Sequence, residues 1–536
     1  MAMRRGLWTG LPRVGFQAVM RVLFGAQGSI LRTFCELDRR LRALGAIRAS
    51  GYWISDSEFY FQERKRCSLL SDPEIMQLYE WEYTAEAGRL RISAERKQEL
   101  EQRYRSLDLW NAIVVDRRLM YGSVSKVRQS YAGRFDHEAL SGIVYNSLDV
   151  MDKHVEDYRP DAIVTFVPAS YGDYLLALVA QFHGISYLQL RSTKIQNYVI
   201  FADNLGAVSS DVEKAYRRNV ELGTGYPFEQ KARDFLEKAS TRPIDYEGTL
   251  SRSKPSVLKE LKGGVRQLGV ALKKAILPVH PVVRRDNHVP PPLATWLYGT
   301  LFQPWYRQAA FRLMSRRRFT LEEAHTQPYV FYPLHSEPEI ALSLYGRDHQ
   351  NQIETVRRLA QSLPLGWKLV VKEHPRSLGY RSSGWYRRLL EIPNVYFVDP
   401  DTRPFYWIDK AKAVVSVSGF VGFEALAIGK PVVVLGSVAF SMLPDTMLRR
   451  VASMSDFGKQ LLELIENFAI DRPALEAFVA SCMSEGAAVN LYSDLLAKPG
   501  RNKASAGDSE SQLQGLAELL IKRLDFVMDF SRGRPA

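Results

Sequence analysis

The sequence predicts an α/β protein made of two doubly wound, Rossmann-like domains with a basic helical insertion between them. In two stretches, short apolar runs alternate with amphipathic helical patterns, which is typical of a parallel sheet flanked by helices. The stretch that separates them is basic, contains a run of prolines at 290–292 and has only helical patterns. A length of 536 residues suits two domains with extensions better than one domain.

The composition favours a folded protein from a reducing compartment. Hydrophobic residues make up 46% of the chain and charged residues 24%, which is the balance of a globular protein. The three cysteines, Cys35, Cys67 and Cys482, have neither a zinc-site spacing nor the even number of a disulfide framework. No run approaches the roughly 18 apolar residues that span a bilayer, and Arg13 and Arg21 interrupt the apolar N-terminus. We therefore expect a cytoplasmic protein.

The net charge of +13 is concentrated in two segments. Residues 251–320 contain 14 Lys and Arg against two acids, and residues 1–48 contain nine Arg against two acids. In both segments the charges alternate with Trp, Leu and Phe, a mixture that suits an anionic membrane surface. We therefore expect a peripheral position on the inner face of the plasma membrane, although a polyanionic acceptor would attract the same charge. No nucleic-acid-binding module accompanies the charge, so we expect no nucleic-acid partner.

The first half of the chain is divided into two predicted parts. Residues 1–50 have the pattern of a basic amphipathic helical segment, and residues 51–240 that of the first Rossmann-like domain, where we expect the acceptor to bind. The clearest unit of this domain is a helix, a strand, a helix and a strand at 137–158, 162–167, 174–183 and 185–190. Tight connections in this order are typical of a parallel sheet.

The second half is divided into three predicted parts. Residues 241–325 form the basic linker and insertion, and residues 326–498 the second Rossmann-like domain, which we expect to bind a nucleotide sugar. Residues 499–536 have the pattern of a polar linker followed by an amphipathic helix. The predicted strands of the second domain lie at 329–332, 368–372, 395–398, 413–418 and 432–435. Ligands bind beyond the carboxyl ends of such strands, so the loops that follow them are the candidate sites.

The loop after the strand at 413–418 has the strongest signal. Gly419 and Gly422 let the main chain approach a phosphate, and the N-terminus of the following helix supplies free N–H groups. Ser416 and Ser418 add hydroxyl donors, and Glu424 in the first helical turn is placed to reach a ribose hydroxyl. The alternative is a tight strand–turn–helix in which Glu424 only complements the helix dipole.

The loop after the strand at 368–372 is the second candidate. His374 stands at the end of this strand with Pro375 behind it, so that its imidazole N–H can point at a phosphate oxygen. Lys372 and Arg376 add positive charge on either side. We therefore predict that these three charged or ionisable residues bind the nucleotide, with His374 also a candidate catalytic residue.

Carboxylates provide the candidates for the catalytic base. Glu337 and Glu339 follow the strand at 329–332, where they would serve as a base, hold a metal or contact the acceptor; ordinary turn chemistry is the alternative. In the first half, Asp173 leaves the end of a strand and would face the donor across the cleft. An N-cap role in the helix that follows is the alternative for Asp173.

Four motifs support a resemblance to a known family. They are Tyr-Pro-Leu-His-x-x-Pro-Glu at 332–339, Leu-Val-Val-Lys-Glu-His-Pro at 369–375, Pro-Asn-Val-Tyr-Phe-Val-Asp at 393–399, and Ser-Gly-x-x-Gly-x-Glu-Ala at 418–425 followed by Gly-Lys-Pro-Val. Residues 326–440 thereby resemble the bacterial capsule polysaccharide biosynthesis family, which includes the Kdo transferases of capsule assembly. Residues 185–204 resemble the first half of that family more loosely.

The resemblance implies a GT-B-like glycosyltransferase that needs no metal and no cofactor besides its nucleotide-sugar donor. In this family the donor is often CMP-Kdo, and the acceptor is a capsule or surface polysaccharide or glycolipid. It implies that His374 contacts the donor phosphate and that residues 418–424 hold the nucleotide. Phe420 departs from the family pattern, because a small hydroxyl residue is more usual in this turn. Either one donor contact or the donor itself is therefore expected to differ.

Two other functions share these features. A nucleotide-sugar 2-epimerase has the same architecture and a similar Gly-x-x-Gly-x-Glu loop, but the basic, aromatic segment 251–320 argues against it. A non-catalytic capsule assembly or export factor would keep the fold in order to bind glycan. The presence of both His374 and Glu424 argues against that function.

Overall fold

Two β-sheets organise the computed structural model. It describes residues 20–104, 109–121, 125, 128–129, 133–249, 266–273, 275, 281–286, 289–337, 339–503 and 508–532. The strands are Met20–Ala26 (β1), Ile47–Ile54 (β2), Met76–Tyr79 (β3), Ala162–Thr165 (β4), Ser186–Ser192 (β5), Tyr198–Ala202 (β6), Tyr329–Pro333 (β7), Lys368–Lys372 (β8), Val395–Phe397 (β9), Ala413–Ser416 (β10), Val432–Val434 (β11), Leu448–Arg450 (β12) and Ala487–Ala488 (β13).

Helices cover both faces of the sheets. In the first half they are Ile30–Ala43, Ser57–Glu63, Glu80–Ala85, Ala94–Tyr104, Leu109–Val115, Arg117–Met120, His137–Tyr158, Tyr171–His183, Ser210–Leu222 and Glu229–Thr241. In the second half they are Pro281–Arg285, Pro292–Leu297, Gln303–Met314, Leu321–Thr326, Ile340–Ser343, Gln352–Gln361, Ser383–Leu390, Phe405–Ile408, Val421–Ile428, Phe457–Glu466, Arg472–Ser484 and Ser509–Arg532. No helix of the described ranges is long and apolar enough to cross a membrane.

The first sheet has the strand order β13–β6–β5–β4–β1–β2–β3. Strands β1 to β5 are parallel. On one side of them β6 pairs antiparallel with β5, and the edge strand β13 pairs antiparallel with β6. The predicted unit of helix, strand, helix and strand is confirmed as His137–Tyr158, β4, Tyr171–His183 and β5. This half is a Rossmann-like domain, as the sequence predicted.

The prediction of a helical segment over residues 1–50 is wrong for its described part. Residues 20–50 contain β1, the helix Ile30–Ala43 and the start of β2, and β1 lies near the centre of the sheet. Arg21 is the reason for the error, because a charge within an apolar run suggests a helix face. In the strand, the Arg21 guanidinium donates to the Tyr158 carbonyl at 2.8 Å while Val22 and Phe24 are fully buried. Residues 1–19 lie outside the described ranges.

The second sheet has the order β12–β11–β10–β7–β8–β9, and all its strands are parallel. This is the Rossmann order, in which the chain starts in the middle with β7, builds one side and then crosses to β10 on the other. Strands β7 to β11 confirm the five predicted strands, and β12 was not predicted. Their Val-rich runs are buried on both faces, as parallel strands require.

The C-terminal residues return to the first domain. Strand β13 pairs with β6, and Leu516 and Leu520 of the last helix are fully buried in the same core as Val22 and Phe24. The predicted boundary of the second domain at residue 498 is therefore wrong at this end. Helices Ser210–Leu222 and Glu229–Thr241 pack against Arg472–Ser484, so a shared core joins the two halves.

Candidate active site

The crevice between β7 and β10 is the topological switch point of the second sheet. The connections of these neighbouring strands leave in opposite directions, which opens a crevice beyond their carboxyl ends where ligands of such folds bind. The loop after β7 carries His335, and the loop after β10 carries Gly419. The two loops touch, because a Cβ added at Gly419 would lie 3.2 Å from Cε1 of His335.

The serines of the β10 loop hold the turn. Ser416 Oγ accepts from the Gly419 N–H at 3.0 Å, and Ser418 Oγ donates to the Ala341 carbonyl at 2.7 Å. Gly422 is required by packing, since an added Cβ would lie 3.0 Å from the Phe440 ring and 3.3 Å from Val432. These three predicted nucleotide-binding residues therefore have structural roles in the turn and helix.

Main-chain N–H groups at the N-terminus of the helix Val421–Ile428 are available to a ligand. Within the described ranges, the N–H groups of Phe420 and Val421 donate to no acceptor, whereas the Gly422 N–H bonds to the Gly419 carbonyl. Phe420 occupies the N-cap position without a side-chain cap, and its ring stacks on Phe423. Free N–H groups and the positive end of the helix dipole suit a phosphate at this position.

His335 is buried in the crevice and was not assigned a role from the sequence. Its main-chain N–H donates to Gln352 at 2.7 Å, while its Nε2 has no hydrogen-bond partner among the described residues. The pKa of His335 is lowered to about 3, mainly by burial and also by the nearby charges of Lys194 and Arg381. The imidazole is therefore neutral at pH 7, and one of its nitrogens is available to a ligand.

Glu424 is the predicted ribose ligand and lies in the first turn of the helix Val421–Ile428. The pKa of Glu424 is raised to about 7, mainly by burial and also by the charge of Asp245, while the charges of Lys194 and Arg403 oppose the change. Arg403 pairs with Asp245 at 3.2 Å, which brings part of the interdomain segment beside the helix. A carboxyl group in this position accepts hydrogen bonds best when it is ionised.

The titration of Glu424 leads to a prediction about stability. A folded-state pKa of about 7 lies above the ordinary value of 4.5, so the folded protein holds a proton that the unfolded chain releases. This contribution to stability is complete below pH 4.5 and is lost as the pH rises through 7. We expect Glu424→Gln to melt with a smaller fall in Tm between pH 5 and 7.5 than the wild type. Parallel Tm curves for the two proteins would contradict the prediction.

Lys194 is a second site residue that the sequence did not reveal. It lies in the hairpin between β5 and β6, in the first domain, with a left-handed φ of 62°. Its main-chain N–H donates to Ser192 Oγ at 3.1 Å. Burial lowers the pKa of Lys194, and the carboxylates of Glu339 and Glu424 oppose the change. The ammonium group therefore lies near His335 and these two carboxylates of the other domain.

Two predicted residues near His374 have structural partners. Lys372 is buried and its Nζ donates to the Pro400 carbonyl at 2.6 Å. Glu337 is buried, accepts from Gln129 at 2.5 Å and pairs with Arg381 at 3.5 Å. Neither group is directed at the crevice as a free charge. The side chain of Arg376 lies outside what the structure describes.

A buried ion pair fixes the loop that carries His374. The Arg381 guanidinium donates to both oxygens of Glu373 at 2.7 Å, and Tyr386 Oη donates to the same carboxylate at 2.8 Å. The N–H of His374 also donates to Glu373, at 2.6 Å. His374 itself is half-buried at the end of β8. The site loops after β7 and β8 are linked, because Arg381 also donates to the His335 carbonyl.

Asp173 does not reach the cleft. Its carboxyl group is fully buried beneath Gly25 of β1, and neither oxygen has a hydrogen-bond partner in the described ranges. Burial and the charge of Glu80 raise the pKa of Asp173 well above its usual range. The N-cap alternative is also wrong, because the cap is Ser170, whose Oγ accepts from the Asp173 N–H at 3.1 Å.

Potential metal ligands come together at one place in the described ranges, outside the crevice. Asp152, Glu156 and His183 offer ligand atoms within 4.8 Å of one another. Arg103 pairs with both Asp152 and Glu156 at 2.6 Å, and His183 bonds to Asp152 at 2.8 Å. This is an ion-pair network that joins helices, since its carboxylates are already neutralised by arginine.

The fold and the site define a GT-B-like protein, in which two Rossmann-like domains face one another across a cleft. Residues 302–451 match the family model of the capsule polysaccharide biosynthesis proteins. The resemblance predicted from the motifs is thus confirmed for the second domain. No curated protein sequence matches the chain.

Solved structures resemble this protein in fold. The β-Kdo 2,7-transferase of KpsC from Thermosulfurimonas dismutans shares 12% identity over 69% of this chain and 89% of that one, with a TM-score of 0.30. The UDP-GlcNAc 2-epimerase from Neisseria meningitidis bound to UDP-GlcNAc shares 14% identity over 87% of this chain and 99% of that one, with a TM-score of 0.23. These similarities concern the fold alone.

Proposed function

We propose that this protein is a glycosyltransferase that moves a sugar from a nucleotide-sugar donor to a capsule or other surface glycan or glycolipid. A CMP-linked sugar such as CMP-Kdo is the first donor to test, and the reaction needs no metal. The match of residues 302–451 to the capsule biosynthesis family supports the substrate class. The crevice of the second domain supports a nucleotide as the donor's leaving group.

One observation carries the proposal: donors from both domains lie around the crevice between β7 and β10. The imidazole of His335 and the N–H groups of Phe420 and Val421 come from the second domain, and the ammonium of Lys194 comes from the first. Glu424 stands beside them as an acceptor for ribose hydroxyls. When the glycosidic bond breaks, negative charge develops on the nucleotide phosphate, and donors fixed in advance stabilise it.

Lys194 gives this proposal a specific test. Lys194→Ala is expected to weaken CMP binding about 10- to 100-fold, the value of one hydrogen bond to a charged group, and to leave cytidine binding unchanged. Calorimetry with the two ligands measures the difference. Lys459→Ala, in which an exposed lysine is removed far from the crevice, is the matched control and should bind both ligands normally. Equal losses for CMP and cytidine would show that Lys194 only supports the fold.

The catalytic base is proposed among the carboxyl groups on either side of the cleft. Glu339 lies near the positive charges of Lys194 and Arg117, both of the first domain. Glu337 is held by Gln129 and Arg381, and Asp173 is buried. Of the three carboxylates that the sequence suggested, this arrangement favours Glu339 over Glu337 and Asp173.

Turnover measurements distinguish these bases. Glu339→Gln is expected to lower kcat by about 100-fold or more with donor affinity retained, because a general base acts in the transition state. Asp173→Asn is expected to fold and to bind donor normally, since the amide has the shape of the neutral acid that burial favours. Loss of turnover in Asp173→Asn alone, with Glu339→Gln active, would assign the base to Asp173.

The reaction class is tested with the purified protein. We expect CMP or UDP sugars to raise the Tm, and release of the free nucleotide to depend on an added glycan acceptor. Inversion of the sugar at C2 without any acceptor would indicate an epimerase. A protein that binds glycan but no nucleotide would be an assembly or export factor.

The reaction is proposed to take place on the cytoplasmic face of the membrane. A nucleotide sugar is made in the cytoplasm, and a growing surface glycan is commonly held there by a lipid. The acid-free stretch between Asp286 and Glu322, with five arginines, supports contact with anionic lipid.

A further inference from the structure

One long helix carries an exposed apolar stripe. Pro292–Leu297, the wider turn Tyr298–Phe302 and Gln303–Met314 follow one another without a break. Leu293, Leu297, Leu301 and Trp305 recur at every fourth position of this helix. Their exposed fractions are 45%, 38%, 55% and 64%, which is unusual for four large apolar side chains in sequence.

The wider turn keeps these side chains on one side of the helix. In an α-helix of 3.6 residues per turn, every fourth residue drifts by about 40° around the axis. The turn Tyr298–Phe302 is a π-helix, whose i to i+5 hydrogen bonds take more residues per turn and reverse part of this drift. The side chains therefore form one stripe, which we name the Leu–Trp stripe.

The segment that contains the Leu–Trp stripe carries only positive charges. Arg312 and Arg316 are exposed on the following turns, and the chain has no acidic residue between Asp286 and Glu322. Leucine and tryptophan beside arginine, without carboxylates, are typical of helices that lie in the headgroup layer of an anionic membrane. A second copy of this chain would offer these arginines no carboxylate from the same helix.

The helix lies at the entrance of the cleft. Gln303 packs against the loop that follows His374, where a Cβ added at Gly379 would collide with the Gln303 carbonyl. On the other side, Tyr298 Oη accepts from Arg128 of the first domain at 2.7 Å. A surface that binds the Leu–Trp stripe is therefore close to the opening between the domains.

We propose that the helix at 292–314 lies in the surface of an anionic membrane, with the Leu–Trp stripe among the headgroups and its arginines on lipid phosphates. The cleft then opens at the bilayer, where a lipid-linked acceptor is within reach. Only this last step rests on the proposed function. The docking depends on the exposed side chains alone.

Co-sedimentation with vesicles tests the docking. The vesicles contain phosphatidylglycerol in phosphatidylcholine, beside phosphatidylcholine alone, over a series of salt concentrations. The wild type should bind the anionic vesicles and dissociate from them as the salt concentration rises, because the Debye screening length decreases with ionic strength. The affinity of the double variant Leu301→Gln/Trp305→Gln for these vesicles should be lower by about tenfold or more, since two large apolar side chains are no longer buried in lipid.

Two controls make the result decisive. Leu365 is fully exposed and lies on the loop before β8, so Leu365→Gln should bind vesicles like the wild type. Nucleotide affinity should be the same in all three proteins, which separates docking from the proposed function. Unchanged vesicle binding in the double variant would overturn the docking. So would a wild-type dimer, detected by light scattering, that the double variant converts to a monomer without any vesicle binding.

Discussion

Arg381→Met is expected to lower the free energy of unfolding by about 3–5 kcal/mol, the cost of leaving a buried charge without its partner. In the wild type Glu373 is fully buried and accepts two bonds from Arg381. Without the guanidinium, the carboxylate keeps only neutral donors, from Tyr386 and from the His374 main chain. The midpoint of the urea transition measures the loss.

A surface pair provides the control for this prediction. Arg89 pairs with Glu86 at 3.2 Å, but its side chain is 82% exposed. Arg89→Met should therefore change the stability by less than about 1 kcal/mol. The double variant Glu373→Gln/Arg381→Met should recover part of the loss, because it removes both charges. If Arg381→Met and Arg89→Met unfold at the same urea concentration, the ion pair does not fix the His374 loop.

His335→Ala is expected to lower the affinity for CMP by about 1.5–3 kcal/mol, or roughly 10- to 100-fold, since one hydrogen bond to a phosphate is lost. His374→Ala and Glu424→Ala, the variants suggested by the sequence, should also weaken CMP binding. Calorimetry with CMP and cytidine separates their roles. His335→Ala should affect CMP alone, whereas Glu424→Ala should weaken both ligands through the ribose.

The control for these variants is His325→Ala. His325 is exposed in the short helix before β7, away from the crevice, so its loss should leave both affinities unchanged. Full affinity for CMP in His335→Ala and Glu424→Ala together would mean that the nucleotide binds elsewhere.

The second sheet was predictable because each strand is a short, continuous run of buried β-branched residues. Runs such as Val432–Val434 have one interpretation when helical patterns lie on both sides. Strand β1 was not predictable in the same way, since Arg21 stands within it and donates to the Tyr158 carbonyl at the end of a helix. The return of the C-terminal helix to the first domain is a long-range contact that periodicity does not contain.

The candidate site was predictable by its loops but not by its atoms. The positions of the strand ends and of the glycines predicted which loops border the crevice. Glu424 lies in one of these loop-to-helix segments. A sequence does not show whether a serine hydroxyl bonds to a ligand or to the protein itself. In the structure Ser416 bonds to its own turn and Ser418 bonds to the Ala341 carbonyl. Lys194 became visible only when the β5–β6 hairpin was seen to face the other domain. His335 became visible by its unpaired nitrogen.

A crystal structure of the protein with CMP tests the central claim most directly. We expect the phosphate at the N-terminus of the helix Val421–Ile428, within hydrogen-bond distance of His335 and Lys194. The ribose should contact Glu424. A nucleotide bound at the crevice of the first sheet, between β1 and β4, or outside both crevices would contradict the claim.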